Sequence, residues 1–159
     1  MEEGQAWRLG DLVADFYLHH DDYDQDEANS VNTATSWHAK DALPDGALTA
    51  VVEFADGLPV IVAASESRLY VIDVAEVERE GTPGAQTRVR SHALDPKVIT
   101  LSQLARYGEG GSFRNAEWEI GLPEMRVSIS GRSYAKGEVD ENEQLARRIA
   151  EALGWEMPG

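Results

Sequence analysis

The sequence contains no cysteine, and this absence removes several classes of site at once. Without thiols the chain can form no disulfide framework, no thiolate nucleophile and no zinc site with cysteine ligands. No apolar run approaches the roughly 20 residues that span a bilayer, and the acidic N-terminus MEEGQAWRLG does not resemble a secretory signal. We therefore expect a soluble cytoplasmic protein.

Basic residues are scarce in the first part of the chain. Residues 1–67 contain two of them, Arg8 and Lys40, against fourteen acidic residues, whereas residues 68–159 contain twelve basic and fifteen acidic ones. A strongly negative field repels nucleic-acid phosphates and anionic lipid head groups. The composition therefore predicts a protein partner or a second copy of the chain, and neither nucleic acid nor a membrane.

The chain is long enough for one folded domain, since 42% of its 159 residues are hydrophobic. Its first region, residues 1–45, predicts an N-terminal helix from Gln5 to His20 followed by an acidic loop, "DDYDQDEANSVNTATS", which has no apolar period. Trp37 and Leu43 are predicted to anchor a short helical turn before Pro44. The helix carries an apolar stripe at three- and four-residue spacing, formed by Leu9, Leu12, Val13, Phe16 and Tyr17.

Residues 47–131 predict seven β-strands with short connections. The apolar segments "ALTAVVEFA", "LPVIVAAS" and "RLYVIDVA" follow each other closely, and the pair Asp56-Gly57 between the first two is a strong hairpin signal. "TRVRSHA", "KVITLSQLARY", "NAEWEIG" and "MRVSISG" complete the set. Short connections leave no room for crossover helices, so we expect an antiparallel sandwich or barrel.

The C-terminal region predicts an amphipathic helix. Asp140 and Glu143 have the spacing of a capping box, and Gly154 lies where a helix commonly ends in a left-handed residue. Leu145 and Ile149 lie on the apolar stripe, and Trp155 is expected to fold back onto the last turn. Such a helix needs a surface to dock on, and the open end of the barrel is the expected one.

Seven strands in hairpin order followed by one amphipathic helix resemble the bacterial pleckstrin-homology-like (PH-like) fold over about residues 46–156. The segment "LPVIVAASESRLYVIDVA", with Arg68-Leu69 opening a strand, and the segment "SHALDPKVITLSQLA" carry the resemblance. It implies an α+β fold, a seven-stranded antiparallel sandwich or barrel capped by the C-terminal helix. It also implies a binding scaffold without catalysis or cofactor, which works through protein contacts and in bacterial members often as a homo-oligomer. Lipid-binding members carry lysines and arginines in their first hairpin loop. In this chain that loop is Asp56-Gly57, which has no basic residue, so the sequence does not favour phosphoinositide binding.

The acidic segment His19–Glu27 raises the question of a metal site. Asp22, Asp24 and Asp26 occupy the first three odd positions of a calcium-binding loop, but Glu27 and Thr33 stand where that loop needs a glycine and a bidentate glutamate. His19 and His20 are adjacent on a predicted helix, so their rings point about 100° apart and do not chelate one zinc ion together. We predict a solvated loop with at most weak binding of divalent cations.

Two further features, a glycine-rich segment and the serine and histidine residues, bear on phosphate binding and catalysis. "YGEGGSF" is rich in glycine but has no lysine and lies between predicted strands, so it is a hairpin loop and not a phosphate cradle. No serine lies in a Gly-x-Ser-x-Gly elbow, and neither His38 nor His92 has a recognisable partner at a catalytic spacing.

Three surfaces are left as candidates for binding. One is the stripe of Leu12, Val13, Phe16 and Tyr17, which covers either its own sheet or that of a neighbouring copy. Another is the strand with Arg88, Arg90 and His92, whose alternation places all three on one face. The third is the acidic loop, which could attract the basic strand of another copy.

Three functions from different classes follow. The first is a non-catalytic protein-interaction module of PH-like fold that acts through protein contacts or as a homo-oligomer. The second is an acidic inhibitor, immunity protein or charge mimic, motivated by the fourteen acidic residues among the first 67. The third is a small hydrolase whose site is assembled only in space.

Overall fold

The computed structural model describes residues 1–18, 25–53, 59–78, 84–107, 114–130 and 136–155. Within them the chain forms two helices, then seven strands, then a third helix. The elements are α1 (Glu3–Leu18), α2 (Gln25–Ala42), β1 (Leu48–Glu53), β2 (Pro59–Ala64), β3 (Arg68–Glu78), β4 (Gly84–Ala93), β5 (Thr100–Tyr107), β6 (Arg114–Gly121), β7 (Arg126–Ser130) and α3 (Lys136–Ala152). Each of the seven strands overlaps a predicted one, but β3 continues three residues beyond its predicted segment, to Glu78, and β4 begins three residues earlier, at Gly84.

The predicted loop after the first helix is wrong over most of its length. Residues 25–42 form the 18-residue helix α2, which packs against α1 as a helical hairpin. The buried stripe of α2 consists of Ala28, Val31, Thr35 and Ala39, at spacings of three and four residues. Three of these four side chains are alanine or threonine, so the apolar period is barely visible in the sequence. The longer helix also replaces the short turn expected around Trp37.

The first four strands form sheet A, an antiparallel meander in the order β1-β2-β3-β4. Glu53 of β1 pairs with Pro59 of β2, which confirms the first hairpin, although Asp56 and Gly57 themselves lie outside the described residues. The turn between β2 and β3 is tight, since Ser65 N donates a hydrogen bond to Arg68 O at 2.9 Å. The register of β3 and β4 shifts once, between Val74 and Glu76.

The last three strands form sheet B, an antiparallel meander in the order β5-β6-β7. In β7, Val127 and Ile129 are buried while Arg126 and Ser128 are exposed, as the alternation of this segment predicts. The turn before β7 is closed by a hydrogen bond from Leu122 N to Met125 O at 2.8 Å.

Sheet A lies between two hydrophobic cores, and β2 shows this most directly because all six of its residues are buried. Val60, Val62 and Ala64 belong to the inner core, formed with sheet B and α3, whose other members include Leu69, Val71, Ile120, Ile129, Leu145 and Ile149. Ile61 and Ala63 belong to the hairpin core, formed with α1 and α2, whose other members include Leu9, Val13, Val31, Leu43 and Ile72. Alternation along one strand thus supplies side chains to both cores.

Helix α3 begins at Lys136, four residues before the predicted capping residue Asp140, and packs against β1, β2 and β7. Its C-terminal end follows the prediction, because Gly154 has a φ of 79°. Trp155 N donates to Ala150 O at 2.8 Å and Gly154 N to Glu151 O at 3.1 Å, which is the hydrogen-bond pattern of a Schellman motif. The Trp155 ring then meets Trp118 edge-on, with ring centroids 5.6 Å apart.

The described chain is therefore α+β, with two antiparallel sheets of four and three strands that do not close into a barrel. The helical hairpin lies before the predicted domain boundary between residues 45 and 46, and sheet A lies after it. The two nevertheless share the hairpin core. Among the described helices, none combines the length and the apolar character that crossing a membrane requires.

Candidate functional site

A groove runs along β1 between α1 and α3, and we call it the β1 groove. It consists of two adjoining hollows of about 210 Å³ and about 110 Å³ that share Arg8, Leu9 and Thr49. The first is also lined by Met1, Gln5, Ala47, Leu48 and Gln144, and the second by Leu12, Phe16, Ala50, Val51 and Asn142. The lining thus combines aliphatic and aromatic surface with side-chain amides and one guanidinium group.

The floor of the β1 groove is the edge of a sheet. In the described chain β1 pairs with β2 on one side and with no strand on the other. Five consecutive residues, 47–51, line the two hollows, and β7 also approaches β1 without pairing with it. An edge strand presents unpaired N–H and C=O groups to which another extended chain can pair.

Helix α1 divides the predicted apolar stripe between the hairpin core and the groove. Val13 is 1% exposed and packs in the hairpin core with Ala6, Leu9 and Ala14. Leu12 and Phe16 are half-buried and form one wall of the groove, while the side chain of Tyr17 lies outside the described residues. The helix therefore docks on the sheet of its own chain, one of the two alternatives that the sequence left open.

The basic strand has the predicted arrangement. In the register of sheet A, Arg88 lies opposite Asp73, Arg90 opposite Val71 and His92 opposite Leu69, so all three share one face of β4. Arg88 holds the 6%-exposed Asp73 with two hydrogen bonds, from Nη2 at 2.8 Å and from Nε at 3.4 Å. The hydrogen bond and the negative charge of Asp73 raise the pKa of Arg88.

Glu124, in the turn before β7, joins the other two basic side chains. His92 Nε2 donates to Glu124 Oε1 at 2.7 Å, and Arg90 Nε lies 4.0 Å from the same oxygen. Arg90 also donates to the sulfur of Met125 at 2.9 Å. Burial raises the pKa of Glu124, but the hydrogen bond from His92 and the positive charges of His92 and Arg90 outweigh it and lower the pKa. All three basic residues are thus engaged within the chain, which leaves them poorly placed to bind an external anion.

The acidic segment is described only in part. Residues 19–24, with Asp22 and Asp24, lie outside the described residues, whereas Asp26, Glu27 and Thr33 belong to helix α2. A calcium-binding loop therefore does not continue through residues 25–33. Among the residues that the structure describes, no three histidine, aspartate or glutamate side chains are grouped so that they could hold a metal ion.

The sequence reasoning missed two features. The β1 groove is built from α1, β1 and α3, which are far apart in the chain, so no local pattern indicates it. The other is the outer side of the helical hairpin, where Trp7 and Trp37 remain 42% and 53% exposed. A signal in the sequence was present for Trp7 alone, which lies off the predicted apolar stripe of the first helix.

Comparison of the chain with protein-family models, curated proteins and solved structures finds no match.

Proposed function

We propose that the chain is a non-catalytic protein-interaction module of PH-like fold, whose β1 groove takes an extended segment of a partner protein. The observation that carries this proposal is the unpaired edge of β1 at the floor of a groove between two helices.

The element order supports the PH-like part of the proposal. Strands β1 to β4 form one meander, β5 to β7 form a second, and α3 follows and packs on β1, β2 and β7. The resemblance implies seven antiparallel strands followed by a C-terminal helix, and this order of elements supports it. The helical hairpin α1–α2 is an addition to it, and it supplies the second wall of the groove.

The shape and chemistry of the groove support an extended peptide as its ligand. A strand that pairs with β1 would gain main-chain hydrogen bonds, while alternate side chains would point toward the two walls. One wall offers Leu12 and Phe16, and the other offers the amides of Asn142 and Gln144. Main-chain pairing provides affinity and the walls provide selectivity among side chains.

The charge of the chain disfavours the other ligands of PH-like scaffolds. Arg8 and Lys40 are the two basic residues among the first 67, which include all of α1, α2, β1 and β2. A surface of this sign repels phosphoinositide head groups and nucleic acid. A hydrolase stays a prediction that no feature of the described residues supports.

A peptide-display experiment tests the proposal. Decapeptides selected from a random library on the immobilised wild-type protein should bind in solution and shift the amide resonances of residues 48–52. Leu12→Asp should weaken them at least about tenfold, the effect of losing one well-placed interface side chain. Leu18→Asp on the same helix should leave binding unchanged, because Leu18 is 41% exposed and does not line the groove.

Three outcomes separate the alternatives. Peptides whose binding is insensitive to Leu12→Asp, or whose resonance shifts fall away from β1, contradict the proposal. Failure to select any peptide from the library does so as well. If β1 edges instead pair between copies, light scattering of the wild type gives a multiple of 17.5 kDa and Leu12→Asp reduces it to the monomer mass.

A further inference from the structure

The outer surface of the helical hairpin carries two exposed tryptophans side by side. Trp7 on α1 and Trp37 on α2 line one shallow cleft together with Glu3, Ala6, Ser36 and Lys40. Neither indole belongs to the hairpin core, although Ala6, which lines the same cleft, does. Tryptophans on a surface are the residues most enriched among the energetic centres of protein interfaces.

The residues next to these indoles are acidic. Glu3 and Asp11 lie four positions before and after Trp7 on α1, and Asp41 lies four positions after Trp37 on α2. Residues four apart are neighbours on a helix surface, so each carboxylate borders an indole. All three carboxylates are exposed. We call this surface, formed by Trp7, Trp37, Glu3, Asp11 and Asp41, the tryptophan face.

A cation already occupies part of the tryptophan face. The ammonium group of Lys40 lies 5.0 Å from the centre of the Trp37 ring, within the range of a cation–π contact. The ring of Trp37 is therefore oriented so that its face receives positive charge. Trp7 lines the same cleft with nearly half of its surface in solvent.

We propose that the tryptophan face binds an arginine-rich segment of a partner protein. A guanidinium group stacks on an indole and donates paired hydrogen bonds to a carboxylate, so one residue type satisfies both components of this surface. The inference does not rest on the β1 groove, which lies on the other side of α1 and has a different lining. If the chain is an acidic inhibitor, the tryptophan face is the surface through which it would contact its partner.

A second copy of this chain is a poor occupant for two reasons. Two hairpins that meet through this surface would bring like charges together, since residues 1–67 hold fourteen acidic and two basic residues. The basic strand of another copy is also committed, because Arg88 pairs with Asp73 and both Arg90 and His92 lie against Glu124. The occupant must therefore supply its own cations.

Fluorescence polarisation with labelled decapeptides tests the proposal at physiological salt. The probes are an alternating arginine–glycine peptide and an alternating lysine–glycine peptide of equal charge. The arginine peptide should bind the wild type more tightly, and the double variant Trp7→Ala/Trp37→Ala should weaken it by about tenfold, as expected for the loss of two stacking contacts. Trp155→Ala is the matched control, because Trp155 is 38% exposed at the far end of the chain.

A second variant tests the carboxylates of the tryptophan face. It also keeps the proposal testable if the tryptophan variant does not fold. Glu3→Gln/Asp41→Asn keeps both side-chain shapes and should weaken the arginine peptide and reduce the salt dependence of its binding. The proposal is overturned if both peptides bind equally and the tryptophan variant keeps full affinity, because that is nonspecific attraction to an acidic protein. It is also overturned if neither peptide binds, or if the tryptophan variant instead converts a dimeric wild type into a monomer.

Discussion

Helices α1 and α2 lie close together at Gly10, and replacing this glycine by alanine tests the packing of the hairpin. A Cβ atom built at Gly10 would lie 2.5 Å from Asn32 Oδ1 and 2.7 Å from the main-chain oxygen of Asn32, and closer still to Ser36 Oγ. Ordinary contacts of a Cβ begin near 3.4 Å. Two of the three obstructing atoms belong to side chains that can move, but the main-chain oxygen moves only if the two helices separate.

The magnitude follows from two opposing terms. Overpacking a well-packed contact costs about 1–3 kcal/mol, and alanine in a helix interior gains about 0.5–1 kcal/mol over glycine. Moving Asn32 and Ser36 also disturbs their hydrogen bond at 3.1 Å and the bond from Asn32 Nδ2 to Asp11 Oδ1 at 2.6 Å. We expect Gly10→Ala to lower the free energy of unfolding by about 1–2 kcal/mol, or Tm by about 2–8 °C for a chain of this size.

Gly4 provides a matched control on the same helix. A Cβ at Gly4 meets nothing within 4 Å, so Gly4→Ala should be neutral or stabilising by up to about 0.5 kcal/mol. Urea unfolding followed by far-UV circular dichroism measures both variants, with an unchanged m-value as the check that only stability changed. If Gly10→Ala is as stable as the wild type, α1 and α2 do not approach as the structure has them.

Three further substitutions test the docking of α1, the ion pair between Arg88 and the buried Asp73, and the glutamate of the turn before β7. Val13→Asp should lower the free energy of unfolding by more than about 3 kcal/mol without changing the mass of the particle, because it places a charge in the hairpin core. The control Leu18→Asp, at an exposed position, should change it by no more than about 0.5 kcal/mol. A smaller assembly with unchanged stability would instead mean that α1 docks between copies. Arg88→Ala should lower the urea midpoint of unfolding clearly more than Arg126→Ala does. The first substitution leaves the buried carboxylate of Asp73 unpaired, whereas the second breaks only a surface contact with Glu119. Equal midpoints for the two variants would contradict this expectation. The pKa of Glu124 is lowered in the fold, so its stabilising contribution is complete above its ordinary value of 4.5 and disappears as the pH falls through the folded value. Glu124→Gln should therefore be less stable than the wild type at pH 7, and the difference between the two should shrink in acid; a difference that grows toward low pH would contradict the assignment.

The strands could be predicted from sequence because they are apolar or alternating segments separated by short connections. Val127 and Ile129 alternate with polar residues, and the observed burial follows that alternation. Helix α2 could not be predicted in the same way, because the residues that it buries are mostly small. Alanine and threonine make a close interface with α1 but contribute little to an apolar period.

The arrangement of the basic strand shows where sequence information ends for a candidate site. Alternation alone places Arg88, Arg90 and His92 on one face. Their partners depend on the register of two hairpins: Asp73 comes from the facing strand of sheet A, and Glu124 from a turn of sheet B more than 30 positions away from His92. Sequence therefore predicts a shared face, but only the tertiary structure shows that two carboxylates, Asp73 and Glu124, already engage these basic side chains.

The position of sheet A between two cores has a consequence for the order in which the chain becomes structured during synthesis. Each described strand pairs with its neighbour in the chain, so both meanders can form from local contacts soon after they leave the ribosome. Helices α1 and α2 precede them and can pack against each other, but the part of their apolar surface that packs on sheet A has no partner until β2 and β3, with Ile61 and Ile72, are made. Over that interval the nascent segment exposes apolar surface, and its excess of negative charge keeps neighbouring nascent chains apart. We expect neutralising substitutions of exposed acidic residues in α1 to increase aggregation during translation more than they change the stability of the finished protein.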